Sequence, residues 1–145
     1  MQDFFQDGPS LKNQYLSDHT LQKLLTSLVP KDIFNSFAPH LQQVGEDAVQ
    51  KLLSWSMEAE NTEPVFTQYD AWGKRIDQIK MCQGWKNIEA YAAENGLIAS
   101  GYERKYGAYS RVYQMALLYL FHPSSAFVSC PLAMTDGAAK LIETY

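Results

Sequence analysis

Residues Gly107 to Glu143 read GAYSRVYQMALLYLFHPSSAFVSCPLAMTDGAAKLIE, and the reading of this stretch decides the fold. Val112, Met115, Ala116, Tyr119 and Leu120 recur at three-and-four spacing, which predicts a helix with a core-facing stripe. Leu117, Leu118 and Phe121 widen that stripe, and Arg111 is the only formal charge between Tyr106 and Phe121. A helix so apolar needs neighbours on most sides, yet at about 14 residues it is too short to cross a bilayer. It is expected to be the central helix of a bundle. His122-Pro123 breaks it, a short helix is expected from about Ser124, and Pro131 is expected to open a last helix.

The segments before it supply the cover. Ser17 is expected to cap a first helix, with Leu16 and Leu21 as a hydrophobic staple and Leu21, Leu24, Leu25 and Leu28 as its apolar face. Ile33, Phe34 and Phe37 suggest a short turn of helix interrupted by Pro39. A longer helix then carries Leu41, Val44, Ala48, Leu52, Trp55 and Ala59, weakened at Gly45 by about 1 kcal/mol relative to Ala. The helical period is lost over Val65 to Lys80, where Asp70 and Gly73 predict a turn between short extended runs. Helix returns at about Gly84 through Trp85, Ile88, Tyr91 and Ala92, and Asn95-Gly96 predicts a left-handed cap with Leu97 folding back. Met1 to Tyr15 reads as an N-terminal arm in which Phe4, Phe5 and Leu11 could anchor on a partner. Residues 16–145 read as one all-α helical domain with a short irregular or weakly extended insert.

Composition narrows the function classes. The chain has 145 residues, 46% hydrophobic and only 19% charged, with nine Tyr, seven Phe and three Trp. Such a surface carries apolar patches that a lone monomer rarely exposes, so subunit or domain contacts are expected. A net charge of -4 argues against a nucleic-acid footprint. Cys82 and Cys130 form no metal or redox spacing and are expected as buried free thiols. No targeting segment or transmembrane run is visible, which leaves mitochondrial and cytoplasmic placement both open.

No catalytic constellation emerges from the residues themselves. His19, His40 and His122 lack ligand spacing, and the acidic residues lie on polar helix faces. The segment CPLAMTDGAAK is more informative. Small residues Ala133, Gly137, Ala138 and Ala139 allow either close helix packing or room for a ligand, beside the deformable Met134 and the Thr135 hydroxyl.

Two motifs carry a family resemblance. Tyr69-Asp70-Ala71-Trp72-Gly73-Lys74-Arg75-Ile76-Asp77, followed by Trp85, resembles the G-[KR]-R-[IVL]-D region of the AidB-like branch of acyl-CoA dehydrogenases. Cys130-Pro131-Leu132-Ala133-Met134-Thr135 resembles the CP-x-x-MT run of the same branch. The resemblance implies the helical N-terminal domain of a flavoprotein that uses FAD and assembles as a dimer or tetramer. It implies a long-chain fatty acyl-CoA substrate, into which an α,β double bond is introduced. The middle β domain and the C-terminal helical domain, with the flavin loop and the proton-abstracting carboxylate, are expected outside this chain, as a second fragment or chain of the same enzyme. The domain alone is expected to bind no cofactor. The resemblance assigns to an acyl-pocket wall Met134 and Thr135, with Met115 and Tyr119 added from the preceding apolar helix. The competing class is a non-catalytic helical module that binds lipid or protein, or part of a nucleic-acid-associated flavoprotein.

Overall fold

A computed structural model describes residues 5–145 and is mostly helical, with one two-stranded sheet. In chain order the elements are α1 (His19–Leu28), α2 (Lys31–Asp47), α3 (Leu53–Asn61), β1 (Val65–Tyr69) and β2 (Arg75–Lys80). They are followed by α4 (Gln83–Glu94), α5 (Ala99–Glu103), α6 (Ser110–Phe121) and α7 (Ser129–Thr144). Phe4 falls outside the described residues; Phe5 and Leu11 are exposed.

The core sits between α2 and α6. Phe37, Leu41, Val44, Leu52, Ile88, Leu97, Leu117 and Phe121 are completely buried there. This burial explains why Pro39 does not end a helix, contrary to the expected break. The missing N–H removes one bond to the preceding turn, at a cost of about 3 kcal/mol. Phe37, Leu41 and Val44 lie on one face around it, and their burial offsets that loss, at roughly 1.5–3 kcal/mol for each large side chain. The path stays right-handed helical through a π-helical turn at Ala48–Leu52 into α3.

Gly45 also has a tertiary reason. The Gln14 N–H donates to its carbonyl at 3.0 Å, and a Cβ there would lie 2.6 Å from the Tyr15 nitrogen. Asn13 bolts the same crossing: its Nδ2 donates to Gln42 O and to Glu46 Oε2, both at 3.0 Å. Tyr15, inside the stretch expected as an arm, is therefore buried in the core.

Two local expectations shift. Asp18, not Ser17, caps α1: its Oδ1 accepts from the Leu21 N–H at 2.8 Å, while the Ser17 hydroxyl donates to Asn13 O. A carboxylate two bonds from the backbone reaches the N3 amide, and Ser17 is occupied one turn earlier. No α-helix begins at Ser124; a 3-10 turn spans His122–Ser124, and α7 starts at Ser129, placing Pro131 in its first turn where an N–H has no helical partner. The Asn95-Gly96 cap forms as expected. Gly96 has φ +59°, its N–H donates to Ala93 O, and the Leu97 N–H donates to Ala92 O.

The insert is an antiparallel hairpin with Val65 opposite Lys80 and Phe66 opposite Ile79. Asp70 closes it: Oδ1 accepts from the Trp72 and Lys74 N–H groups, both at 2.9 Å. Asp77, at φ 44°, marks the irregularity before Tyr69 pairs with Arg75. Nearly every hairpin residue is exposed, Trp72 to 91%. Cys82 is half-buried, its sulfur accepting from the Trp85 N–H, and Cys130 is exposed. The expectation of two buried thiols fails at Cys130 because α7 is uncovered.

Candidate functional site

The buried face of α6 is rotated from the one expected. Tyr113, Gln114, Ala116, Leu117, Leu120 and Phe121 point into the core, whereas Met115 and Tyr119 are about half exposed. The 3.6-residue period marks an apolar arc without specifying its centre, and Gln114 lies inside it. Met115 and Tyr119 consequently form a ridge between two grooves.

On one side of the ridge, α1 and α6 enclose about 490 Å³, lined by Leu21, Leu24, Leu25, Leu28, Val112 and Ala116, with Thr20 and Arg111 at its margin. On the other, α6 and α7 enclose about 670 Å³, lined by Ile98, Leu118, His122, Ser129, Cys130, Ala133 and Asp136. Met115 and Tyr119 line both. The Tyr119 hydroxyl donates to Asp18 Oδ2 at 2.8 Å, tying α6 to the cap of α1. That bond raises the Tyr119 pKa. The Leu21 amide first, and Tyr119 second, hold the Asp18 carboxyl below its ordinary range.

A polar cluster fixes α7, which has no buried residue along its length. The Tyr102 hydroxyl bonds to Asp136 Oδ1 at 2.5 Å, and the Arg111 guanidinium donates to the same carboxylate oxygen at 2.8 Å while lying over the Tyr102 ring. Arg111 also donates to Oε1 of the fully buried Gln114 at 2.6 Å. A side chain at Gly101 would run into Gln114 Oε1, so glycine is what lets α5 approach the amide. Burial alone would raise the Asp136 pKa; the hydrogen bonds from Arg111 and Tyr102 outweigh it and hold the carboxyl low. The hydrogen bond to Asp136 first, and that to Tyr102 second, raise the Arg111 pKa. At the far end of α7, Arg104 and Lys140 pair with Glu143.

The structure thus brings Met115, Tyr119 and Ala133 together and leaves Met134 and Thr135 on the open face of α7. Met134 is 66% exposed and lines neither groove; the Thr135 hydroxyl donates to Pro131 O at 3.0 Å. Sequence reasoning missed Tyr102, Gln114 and Asp136. Their one visible signal was a glutamine and a lone arginine inside an otherwise apolar helix. His40, which lacks ligand spacing in the sequence, bridges Tyr113 and Asn95 across the opposite side of the core. Asn95 Nδ2 is occupied by Tyr91 O, which leaves Oδ1 to accept from His40 Nε2; Nδ1 then accepts from the Tyr113 hydroxyl. Burial, then the charges of Tyr106 and Glu103, push the Tyr113 pKa up to about 12. No cluster of three or more His, Cys, Asp or Glu side chains suited to a metal occurs among the described residues, and none of their helices is long and apolar enough to cross a membrane.

The model of the adaptive response protein AidB N-terminal domain matches residues 9–144. The chain belongs to that family. Acyl-CoA dehydrogenase family member 11 of Caenorhabditis elegans is 38% identical over 140 residues, 96% of this chain and 23% of the relative. The crystal structure of that organism's ACDH-11 in complex with C11-CoA superposes with a TM-score of 0.93 at 36% identity, over 99% of this chain and 24% of the other. Bd2924 in its apo form superposes with a TM-score of 0.94 at 56% identity, over 99% of this chain and 28% of the other. The chain spans about a quarter of the length of these relatives. This AidB-type domain has the fold of an acyl-CoA dehydrogenase N-terminal domain.

Proposed function

We propose that this domain forms one wall of a fatty acyl-CoA site in an FAD-dependent acyl-CoA dehydrogenase. The observation that carries the reading is α7: sixteen residues with none buried, yet held in place by Asp136 and Glu143. A helix so exposed and so tied is suited to be covered by something else. Its groove side presents Ala133 beside Met115 and Tyr119, and its open face presents Met134. A relative with this fold was crystallised with C11-CoA, which supports an acyl-CoA as the ligand class.

In this reading the domain binds and orients the alkyl chain and keeps water from it. FAD supplies the hydride acceptor when the flavin is bound. The exposed strip of Met134 beside Thr135 suits the rim of such a site, with an apolar thioether next to a hydroxyl. The acid that takes the α proton is assigned to no carboxylate here, because Asp136 and Glu143 are already ion-paired. Assembly contacts fall to the hairpin: a two-stranded ribbon is marginal in water by itself, and this one exposes Phe66, Trp72 and Ile79.

The test is kcat/KM across acyl-chain lengths for Ala133→Leu and Met134→Trp in the protein at its natural length. Overfilling an apolar wall costs about 1–3 kcal/mol. At least one variant is expected to lose long substrates about tenfold or more, with flavin content and assembly unchanged. A uniform loss at all lengths, with the melting temperature falling in parallel, would show both residues to be packing residues only.

A further inference from the structure

On the His40 side of the core, α2, the cap of α4, α5 and α6 surround a smaller cavity of about 360 Å³ that shares no lining residue with either groove. Ser100 lines it. That residue is 9% exposed, and its Oγ is the one buried side-chain polar atom among the described residues without a hydrogen-bond partner. An unpaired buried hydroxyl opposes folding, and alanine would suit α5 better as a helix former, so the hydroxyl has no structural reason to be there. The neighbouring wall is already made: Asn95 Oδ1 and the Tyr113 hydroxyl are committed to His40, both of whose ring nitrogens are engaged.

The charges in the lining set the class of ligand. They are Glu94, Glu103 and Lys105. Neither glutamate is ion-paired to another described residue, whereas the Lys105 ammonium lies over the Tyr106 ring, 5.6 Å from its centroid. The twelve-residue α4 ends here as well, with the negative end of its dipole. The surplus of negative charge disfavours an anion, and no side-chain cluster suited to a metal occurs among the described residues. An organic cation fits both facts. Tyr106 and Tyr113, edge to face with centroids 4.9 Å apart, give it an aromatic wall.

We propose that this cavity binds a small protonated primary amine, whose N–H groups donate to Ser100 Oγ and to the carboxylates of Glu103 and Glu94. An ammonium of this kind offers three donors to an acceptor-rich lining. Its alkyl part lies against the tyrosine rings, and the volume suits a ligand of a few heavy atoms. The site stands apart from the acyl-binding reading and does not depend on it.

The experiment titrates ethylammonium into the protein at its natural length by calorimetry, with tetramethylammonium and ethanol as the comparison probes. Ethylammonium is expected to bind saturably, tetramethylammonium more weakly because it has no N–H to donate, and ethanol not at all. Ser100→Ala and Glu103→Gln are each expected to weaken ethylammonium about tenfold, the loss of a hydrogen bond to a charged group. Without the probe, Ser100→Ala is expected to raise the melting temperature, because it deletes an unpaired buried hydroxyl. Absence of saturable ethylammonium binding overturns the proposal, and so does equal binding of tetramethylammonium. An unchanged ethylammonium affinity in Ser100→Ala, with a lower melting temperature, would show the hydroxyl to be an internal packing group held by ordered water, and the site would be wrong. Should Ser100→Ala fail to fold, Glu103→Gln at an exposed position decides: retained affinity there overturns the site, and the tenfold loss supports it.

Discussion

Helices α6 and α7 look alike as sequence and have opposite fates. Both are rich in apolar and small residues, and both lie in the one stretch from Gly107 to Glu143. In α6, seven of twelve residues are buried; in α7, none of sixteen is. The first is held by hydrocarbon; the second packs Leu132 against the core and is tied by two carboxylates facing Tyr102, Arg104 and Arg111. Hydrophobic burial is strong and non-directional, so it makes a core. Charge-assisted bonds are weaker at a surface but directional, so they can set the orientation of a helix whose apolar side stays open.

The sharpest way to break this comparison is to remove matching leucines and the carboxylate between them. Leu117→Ala in α6 deletes a fully buried side chain and is expected to cost about 2–5 kcal/mol, read as a lower denaturant midpoint at an unchanged slope. A cost under about 1 kcal/mol would mean that the core is not organised around α6.

Asp136→Ala should have a smaller and local effect. The carboxylate accepts from Tyr102 and Arg111, but Arg111 is 41% exposed, so screening reduces the loss to about 1 kcal/mol. Hydrogen exchange should accelerate in α7 while the α2 and α6 amides keep their protection. The pH dependence has a definite sign. Because the Asp136 pKa is lower folded than unfolded, its contribution is fully present above the ordinary carboxylate pKa and disappears as pH falls through the lowered value. Protection of α7 should therefore decline on acidification in the parent and decline less in Asp136→Ala, where the Glu143 carboxylate, also held low by its partners, still titrates. Uniform acceleration throughout the molecule would show that α7 is part of the core unit.

The smallest effect is expected from Leu141→Ala on α7, where the side chain is 62% exposed: within about 0.5 kcal/mol by thermal or chemical unfolding. A cost comparable with that of Leu117→Ala would show that Leu141 is covered in solution.

The legible part of this protein was its local chemistry. The Schellman turn at Gly96, the Asp70 turn of the hairpin and the helical periods of α1, α4 and α6 follow from side-chain size and backbone preference within a few residues. The family resemblance was also legible, because its two motifs are short linear strings, and the match over residues 9–144 bears it out. The errors came where distant segments meet. Pro39 was read as a break because its cost is local, whereas the burial that offsets it comes from α6 and other segments far along the chain. Gly45 was read as a weakness because Tyr15, which needs the space, lies thirty residues earlier.

The same division governs the site. The sequence alone determined that α6 would be apolar and that α7 would carry small residues beside Met134 and Thr135. Only the tertiary structure decided that Met115 and Tyr119 would stand as a ridge while Gln114 went inward. An amphipathic period reports that a helix has an apolar arc; its orientation depends on which neighbours can satisfy the polar groups within that arc. Arg111 accepted by Gln114 and Asp136, and Gly101 making room on α5, settle that orientation through contacts among α5, α6 and α7 that no local window contains.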